Sequence, residues 1–541
     1  MAALRADRQT WEPHFRELET HFSPRRARWQ TTDHNRNKPT ANNSIINGTP
    51  LYAVRVLKSG MMSGHTSPSR PWFRLITPDP NLMEVAGVRD WLYQVEQRMR
   101  EVFARSNIYN ALPTCYSDLG VYGTCALGVY PDDRDTIRAY PYLPGSFWIA
   151  NGSRLSVDTF GREWRYSLGN LVEDYGVDAL PASLKESYEK GHYDTPVDVC
   201  HLIQPNRGRN PMYADNRNMA YESVHWLKGW PEDKALKVSG HPELPALVAR
   251  WETAGENAWG DSLGMDALGD AKQLQFEERR YAQMLDKLAQ PAYLASPDLK
   301  NSQKDTNPGG FTYSALGSSS SGMTPLYVPN PQALQFVRET IGGLEARVSR
   351  AFYVDVFLML AQSERKQVTA REVEERHTEK LTMLGPILER LSDELLDPLI
   401  DRTFKIMDRA GLIPEWPSEL DGQKVKIEYI SILAQAQKAV GRGAIEGVVN
   451  FAGALAAMNP EAIDKVDMDQ AIDEYSGLVG SPPTIIRSDE AVAGLRAKRQ
   501  QELQRQQQMA MAQQASQTAK NLSQTPMDEN TALDQLVDAK G

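Results

Sequence analysis

Between Trp259 and Gly411 the chain spells a helix, a segment that cannot be helical, a second helix, a polar run and a long leucine-striped helix, with no catalytic motif among them. The first helix opens at Asp261-Ser262, residue types that cap a helix N-terminus. It carries Leu268, Ala271, Leu274, Tyr281, Leu285 and Leu288 on largely one face, and Gln290-Pro291 ends it. From Pro291 to Pro331 stand Pro297, Pro308, Pro325 and Pro329, four consecutive serines and Gly309-Gly310, so the spacing predicts short strands and turns. A second helix is predicted from Asn330-Pro331 past Arg350, with Leu334, Val337, Ile341, Leu344 and Val348 at spacings of 3, 4, 3 and 4. That rhythm belongs to a helix packed in a seam.

After Tyr353 the pattern breaks at Val354-Asp355-Val356-Phe357, and the polar run from Gln362 to Gln367 reads as a loop. Helix resumes at Thr369-Ala-Arg-Glu372, where the threonine hydroxyl and the glutamate can satisfy each other's backbone amides as a capping box. Leu381, Leu384, Leu388, Leu391, Leu395 and Leu399 keep one apolar stripe. Gly385-Pro386 inside the stripe predicts a bend, and Ala410-Gly411 the C-terminal stop.

The flanks differ in texture. Residues 1 to about 110 read as helical and polar, with loop-like segments at Asp33–Gly48 and Ser59–Pro71 and an amphipathic helix over Val88–Ser106. From Ala111 to Arg165 short β-like runs appear, among them Tyr116–Tyr130, Thr136–Tyr142 and Ser146–Ala150 before the turn Asn151-Gly152, and Asp198–Gln204, Ser223–Leu227 and Ala235–Val238 continue that texture. Lys424–Tyr429 reads as one returning strand, and Ala434–Leu455 and Asp467–Val479 as helices. Gln500 to Gln524 holds ten glutamines, a composition that is either disordered or helical only against neighbours, with disorder favoured for an isolated subunit. The fold class expected is α+β, mainly helical.

Composition removes several functions. A formal charge of −10 over 541 residues argues against a protein that coats nucleic acid, which needs clustered Lys and Arg. Cys115, Cys125 and Cys200 are too few and too irregular for a disulfide framework or a zinc site, and the nine histidines show no metal-ligand spacing. No cofactor is expected. Gly317-Ser-Ser-Ser-Ser-Gly322-Met323-Thr324 has the glycine spacing of a phosphate-binding loop, but methionine stands where lysine would reach the phosphates, so a flexible loop is the better reading. No apolar run is long enough to span a membrane.

The order helix, proline-rich insert, helix, polar loop and long bent helix resembles that of bacteriophage portal proteins. Local wording is similar to the head-to-tail connector family of short-tailed phages: Ser69-Arg-Pro-Trp-Phe-Arg-Leu75, Trp259-Gly-Asp-Ser-Leu-Gly264 and Gln367-Val-Thr-Ala-Arg-Glu372. The resemblance implies a wing over 1–258 and 369–430, stem helices at 259–290 and 331–352, a clip at 291–330, a tunnel loop at 353–368, a helical crown at 431–500 and a tail at 501–541. It implies a ring, usually of twelve subunits, at one capsid vertex, through which DNA is packaged and ejected and to which the tail attaches.

Implied partners are further copies of the chain, double-stranded DNA held without sequence preference, the major capsid and scaffolding proteins, the large terminase subunit and a tail adaptor. The implied location is the virion, with the host cytoplasm during assembly. Gln362, Ser363, Arg365, Lys366 and Gln367 would ring the channel, and Lys300 and Lys304 would face the motor or adaptor. A conduit must let its cargo slide, so the channel is expected to be mostly acidic or neutral. Without the resemblance, the rival readings are an enzyme whose pocket assembles in space and a non-catalytic helical scaffold or adaptor.

Overall fold

The computed structural model describes residues 1–29, 45–79, 82–83, 85–210, 212–213, 215–231, 234–295, 323–325, 330–363, 384–420, 422, 425–457, 459, 465–479, 487 and 489–523. The architecture is mixed α and β and mainly helical. Five helices open the chain: α1 (Ala2–Gln9), α2 (Glu12–Phe22), α3 (Thr49–Gly64), α4 (Ala86–Arg105) and α5 (Ile108–Tyr122). Strand β1 (Phe73–Ile76) lies between α3 and α4, and it pairs antiparallel with β12 (Lys426–Tyr429), Phe73 opposite Tyr429. The returning strand expected near 424–429 is thus present, and its partner is the segment carrying Trp72 and Phe73. Both rings are fully buried, and the Trp72 indole donates to the Tyr109 hydroxyl at 3.2 Å. Two bulky aromatics next to each other, one with a polar handle that finds a partner, anchor this junction.

Residues 116–122, expected as strand, are the last turns of α5. Ile108, Ala111, Leu112, Cys115 and Leu119 are buried at helical spacing, which a period-two reading of the apolar stretch overlooked. The strands that follow form two antiparallel sheets. One has three strands in the order β3 (Thr136–Pro141), β2 (Thr124–Asp132), β9 (Ala246–Arg250). The other has five in sequential order: β4 (Phe147–Asn151), β5 (Val157–Ser167), β6 (Pro196–Pro205), β7 (Tyr221–Leu227) and β8 (Lys237–His241). Strand β5 lies in the stretch read as β-like without bounds of its own, while strand β9 and the helices α6 (Leu168–Tyr175) and α7 (Ala182–Glu189) were not anticipated. Helix α1 is clasped to the larger sheet by Arg8, which is 2% exposed, donates to the carbonyls of Gly145 (2.6 Å) and Phe147 (2.9 Å), and lies 4.2 Å from the Trp148 ring centroid. Such a cation–π contact gains strength when desolvated.

The larger sheet holds a neutral histidine cluster. His201 and His225 stack with centroids 3.8 Å apart, His201 Nε2 meets the Ser223 hydroxyl at 2.9 Å, and His225 Nδ1 meets the Tyr175 hydroxyl at 2.7 Å. Burial, reinforced by the Arg162 and Lys237 charges, pushes His225 down to about 3; burial pushes His241 down to about 4 and His201 well below the ordinary range. The unfolded chain therefore binds protons that the fold refuses. The histidine contribution to stability should be fully present above pH 7 and should be lost as pH drops below about 6.5, His225 alone contributing about 2 kcal/mol of loss by pH 5. Urea midpoints measured at pH 7.5 and 5.0 check this, and His225→Asn should flatten the slope.

The C-terminal half begins with α8 (Leu263–Ala289), the two-stranded pair β10 (Tyr293–Ala295) and β11 (Met323–Pro325), α9 (Pro331–Ala351) and α10 (Val354–Ser363). There follow α11 (Gly385–Leu391), a π turn over Ser392–Leu396, and α12 (Asp397–Arg409). Beyond β12 lie α13 (Ile432–Ala456), α14 (Met468–Val479) and α15 (Asp489–Ser523). Helix α15 covers most of the glutamine-rich run, so that composition is helical here, and from Ala493 onward its residues are exposed wherever burial is described. Among the described residues no helix is long and apolar enough to cross a membrane.

Candidate functional site: the paired helices and the clamp that holds them

Helix α8 starts where the backbone is most crowded. The Ser262 hydroxyl accepts from the Met265 amide at 3.0 Å and donates to the Val121 carbonyl at 2.8 Å, so the expected cap also ties α8 to the end of α5. Gly123, at φ +74°, and Gly260 cross so closely that a methyl on Gly260 would fall 2.3 Å from the Gly123 carbonyl oxygen, and one on Gly264 would fall 2.5 Å from that of Val121. Trp259 closes the crossing from below, stacked on Phe147 at 5.8 Å and set edge-on to Phe15 at 5.7 Å. The motif Trp259-Gly-Asp-Ser-Leu-Gly264 is therefore a mechanical joint: an aromatic wedge, two glycines for close approach and a cap.

From this joint α8 and α9 run antiparallel. Their seam buries Leu274, Ile341 and Leu344, flanked by Tyr281 and Val337, and Arg347 reaches Asp270 at 3.0 Å. Asn330 caps α9 through its side chain and Pro331 takes the first helical position, as expected. A clamp that the sequence did not reveal crosses both helices. The Gln275 carboxamide accepts from the amides of Ile46 (2.7 Å) and Asn47 (3.0 Å) and donates to the Asn47 carbonyl (2.9 Å). Asn47 Nδ2 in turn donates to Glu278 on α8 and Glu345 on α9, both at 2.8 Å. The signal available was Asn47-Gly-Thr-Pro50, a turn-and-cap wording before α3.

Away from the joint the pair changes character. Leu285 and Leu288, expected on the apolar stripe, are 41% and 39% exposed, and Phe276 and Phe336 are 51% and 70% exposed on different helices. Strands β10 and β11 close the base of the insert antiparallel, Leu294 opposite Thr324, which fits the expectation of short strands there. Lys300 and Lys304 lie outside the described residues, as do Gly317–Gly322 of the rejected phosphate-loop reading.

Within the segment 353–368, expected as a tunnel loop, the described residues 354–363 are helical. Tyr353 adopts φ +54° and ends α9, after which residues 354–363 form α10, burying Val354, Val356 and Phe357. The apparent break in pattern is a change of helix axis, with the apolar residues re-phased onto α3. Gln362 and Ser363 are its last residues. Arg365, Lys366 and Gln367 and the capping box at Thr369–Glu372 lie outside the described residues.

The leucine stripe is buried as expected: Leu384, Leu388, Leu391, Leu395 and Leu399 are each at most 3% exposed. Pro386 stands in the first turn of α11, where a missing amide costs nothing. The described interruption falls later, at the π turn, where the Asp397 amide donates to Ser392 five residues back. Pro398 supplies the physical reason: it has no amide for the carbonyl of residue 394, so the ladder widens ahead of it. The widened turn aims Glu394 at Arg250, which is 5% exposed. Its carboxylate accepts from the Arg250 amide (2.8 Å) and from Nε and Nη2 of the guanidinium, whose Nη2 also donates to the Leu155 carbonyl (2.9 Å). Arg402 repeats the theme one sheet edge away, donating to the Val129 carbonyl (2.7 Å) and to Glu243 (3.1 Å). The stop at Ala410-Gly411 is a Schellman motif: Gly411 at φ +68°, its amide on Asp408, and the Leu412 amide on Met407.

Burial pushes Cys200 up to about 11, and the hydrogen bond to Cys115 together with burial holds Cys125 well above the ordinary thiol range. These thiols are packed as small hydrophobes rather than poised as nucleophiles. The geometry is that of a scaffold: a joint, a paired rod, and two buried arginines that lock the leucine-striped helix to the smaller sheet.

The family model described as "Bacteriophage head to tail connecting protein" matches residues 1–486. The chain belongs to this family. A portal protein of Salmonella phage epsilon15 is 43% identical over 542 aligned positions, covering 100% of this chain and 97% of the relative. A probable portal protein of Bordetella phage BPP-1 is 37% identical, covering 98% and 95%. A portal protein of Enterobacteria phage T3 is 24% identical over 409 positions, covering 71% and 70%. Head-to-tail connectors are structural proteins of the virion at the head–tail junction and carry out no catalysis, which is the reading drawn from the absence of catalytic motifs and from the resemblance together.

Proposed function

We propose that copies of this chain close into a ring, a dodecamer by family resemblance, with the α8–α9 pair of every subunit standing beside its neighbour's and the axial channel serving DNA packaging and ejection. The observation that carries this reading is the pair of exposed aromatics. A buried seam joins α8 to α9, yet each helix turns a phenylalanine to solvent, Phe276 on one and Phe336 on the other. A closed ring needs two different complementary faces on one subunit. Phe276 lies under the Arg280 guanidinium at 4.2 Å, a cover that no described contact gives Phe336, so the two faces differ in their surroundings.

Phe276→Asp and Phe336→Asp are each expected to leave circular dichroism and the unfolding midpoint unchanged while reducing the assembly to single subunits in light scattering. A full-size assembly from both variants would refute this interface.

The residues assigned to the channel are Gln362, Ser363, Arg365, Lys366 and Gln367, with Arg365 and Lys366 making phosphate contacts that position without reading sequence. The double change Arg365→Glu, Lys366→Glu should preserve ring assembly and lower the DNA packaged per head several-fold, as nuclease-protected DNA would report. Loss of assembly instead would make the segment an interface. Lys300 and Lys304 are assigned to contact with the large terminase subunit or the tail adaptor at the insert. The major capsid and scaffolding proteins are the remaining proposed partners, with the ring seated at one capsid vertex and assembled in the host cytoplasm.

A further inference from the structure

The hairpin connection between β6 and β7 is built like a docking knob. Met212 is 89% exposed, the highest value of any large apolar side chain among the described residues, and the adjacent Tyr213 is 64% exposed. Solvent exposure of that degree is not enforced by a floppy tether, because the flanking backbone is cross-braced by asparagines. Asn206 Nδ2 donates to the carbonyls of Arg217 (2.8 Å) and Met219 (3.2 Å). The Asn218 side-chain oxygen accepts from the Asn210 amide (3.1 Å), while Arg209 Nε donates to the Asn218 carbonyl (3.0 Å). Asn210 finally accepts the Met212 amide through its side chain (3.1 Å) and the Tyr213 amide through its carbonyl (3.2 Å). The backbone that presents the two exposed side chains is therefore braced in advance of any partner, which lowers the entropy lost on docking.

The charge around them is inverted relative to the chain. Residues 206–220 carry Arg207, Arg209 and Arg217 against one acid, Asp215, a net of +2 on a protein whose formal charge is −10. All three arginines are exposed, and the Asp215 carboxylate already accepts from the Asn218 carboxamide. Tyr, Met and Arg are the residue types that interfaces concentrate, and a central apolar anchor ringed by charge is the usual arrangement of a binding hot spot. A bare phosphate backbone would use the arginines but would gain nothing from Met212, whose flexible thioether suits an apolar pocket.

We propose that Met212 and Tyr213, surrounded by Arg207, Arg209 and Arg217, dock into an apolar pocket on an acidic protein surface of the phage head shell. This rests on the proposed seating of the ring in the head, and it gives the larger sheet a role as the gripping surface, separate from the subunit contacts assigned to α8 and α9. The test compares full-length wild type with two variants, Met212→Asp with Tyr213→Ala, and Arg207→Glu with Arg209→Glu and Arg217→Glu. Each is produced in phage-infected cells lacking the native gene, and its copies per assembled head are counted by quantitative immunoblotting, with assembly mass measured on the purified protein.

The expected result is an unchanged assembly mass, with copies per head reduced at least tenfold for both variants. Heads carrying either variant at wild-type level would overturn the proposal. Loss of the assembly itself would overturn it by making the knob a subunit contact, and normal incorporation with reduced packaged DNA would overturn it in favour of a nucleic-acid contact. If wild type itself were absent from heads, the seating of the ring would fail and not the knob alone.

Discussion

Arg250→Ala is expected to lower the unfolding free energy by about 3–5 kcal/mol, because it leaves Glu394 partly buried without the cation it faces. The effect is large because one guanidinium serves several acceptors at once: the Glu394 carboxylate, the Leu155 carbonyl and the Asn151 side-chain oxygen at 3.2 Å. Removing it unties β9 from the π turn and from the hairpin between β4 and β5 together. Denaturant titration of the single variants and of Arg250→Met with Glu394→Leu separates the components. The double variant should be more stable than Arg250→Ala, since no charge is then stranded. An Arg250→Ala protein within about 0.5 kcal/mol of wild type would mean that the lock contributes nothing.

Leu391→Asp is expected to do more, costing at least about 5 kcal/mol and preventing accumulation of folded subunit. Leu391 is fully buried at the end of α11, immediately before the π turn, among Leu388, Leu395 and Leu399. A carboxylate there loses its hydration on burial and forfeits the packing of the leucine as well. Against a total stability of about 5–15 kcal/mol for an ordinary domain, that loss is decisive. Soluble yield and the midpoint of thermal unfolding check it. Leu391→Met, which conserves volume and polarity, should cost under about 1.5 kcal/mol.

How far the chain could be read in advance depended on whether the determining forces were local. Ser262, Asn330 and Gly411 act within one turn of themselves, so both caps and the stop were legible from residue type. The leucine stripe was legible because burial of one helix face needs only a period. Segment 354–363 was misread since its apolar residues are phased to α3, a surface the linear pattern does not contain, and Tyr353 turns the axis at a positive φ that no local residue preference announces.

Strand β5 lay in a stretch read as β-like but received no bounds of its own, for a related reason. It alternates Arg162, Glu163, Trp164, Arg165 and Tyr166, where charges are paired across the sheet, Glu163 with Arg5 and Lys228, Arg165 with Asp198. Read as text, such a strand looks like a polar loop. The clamp made by Asn47 and Gln275 joins residues more than two hundred positions apart, and the ion pair of Arg250 with Glu394 spans 144. Neither type nor spacing hints at partners so distant. The family, by contrast, was legible in full, because the order of joint, paired helices, insert and striped helix survives even where the reason for each motif does not show.

The account turns on assembly, so its most direct test is the shape of the purified full-length protein in negative-stain electron microscopy with image averaging. Closed rings with an axial hole wide enough for duplex DNA, their wall formed by radially repeated subunits, are the predicted result. Single subunits or compact pairs without a hole, at concentrations where the protein is native, would contradict it.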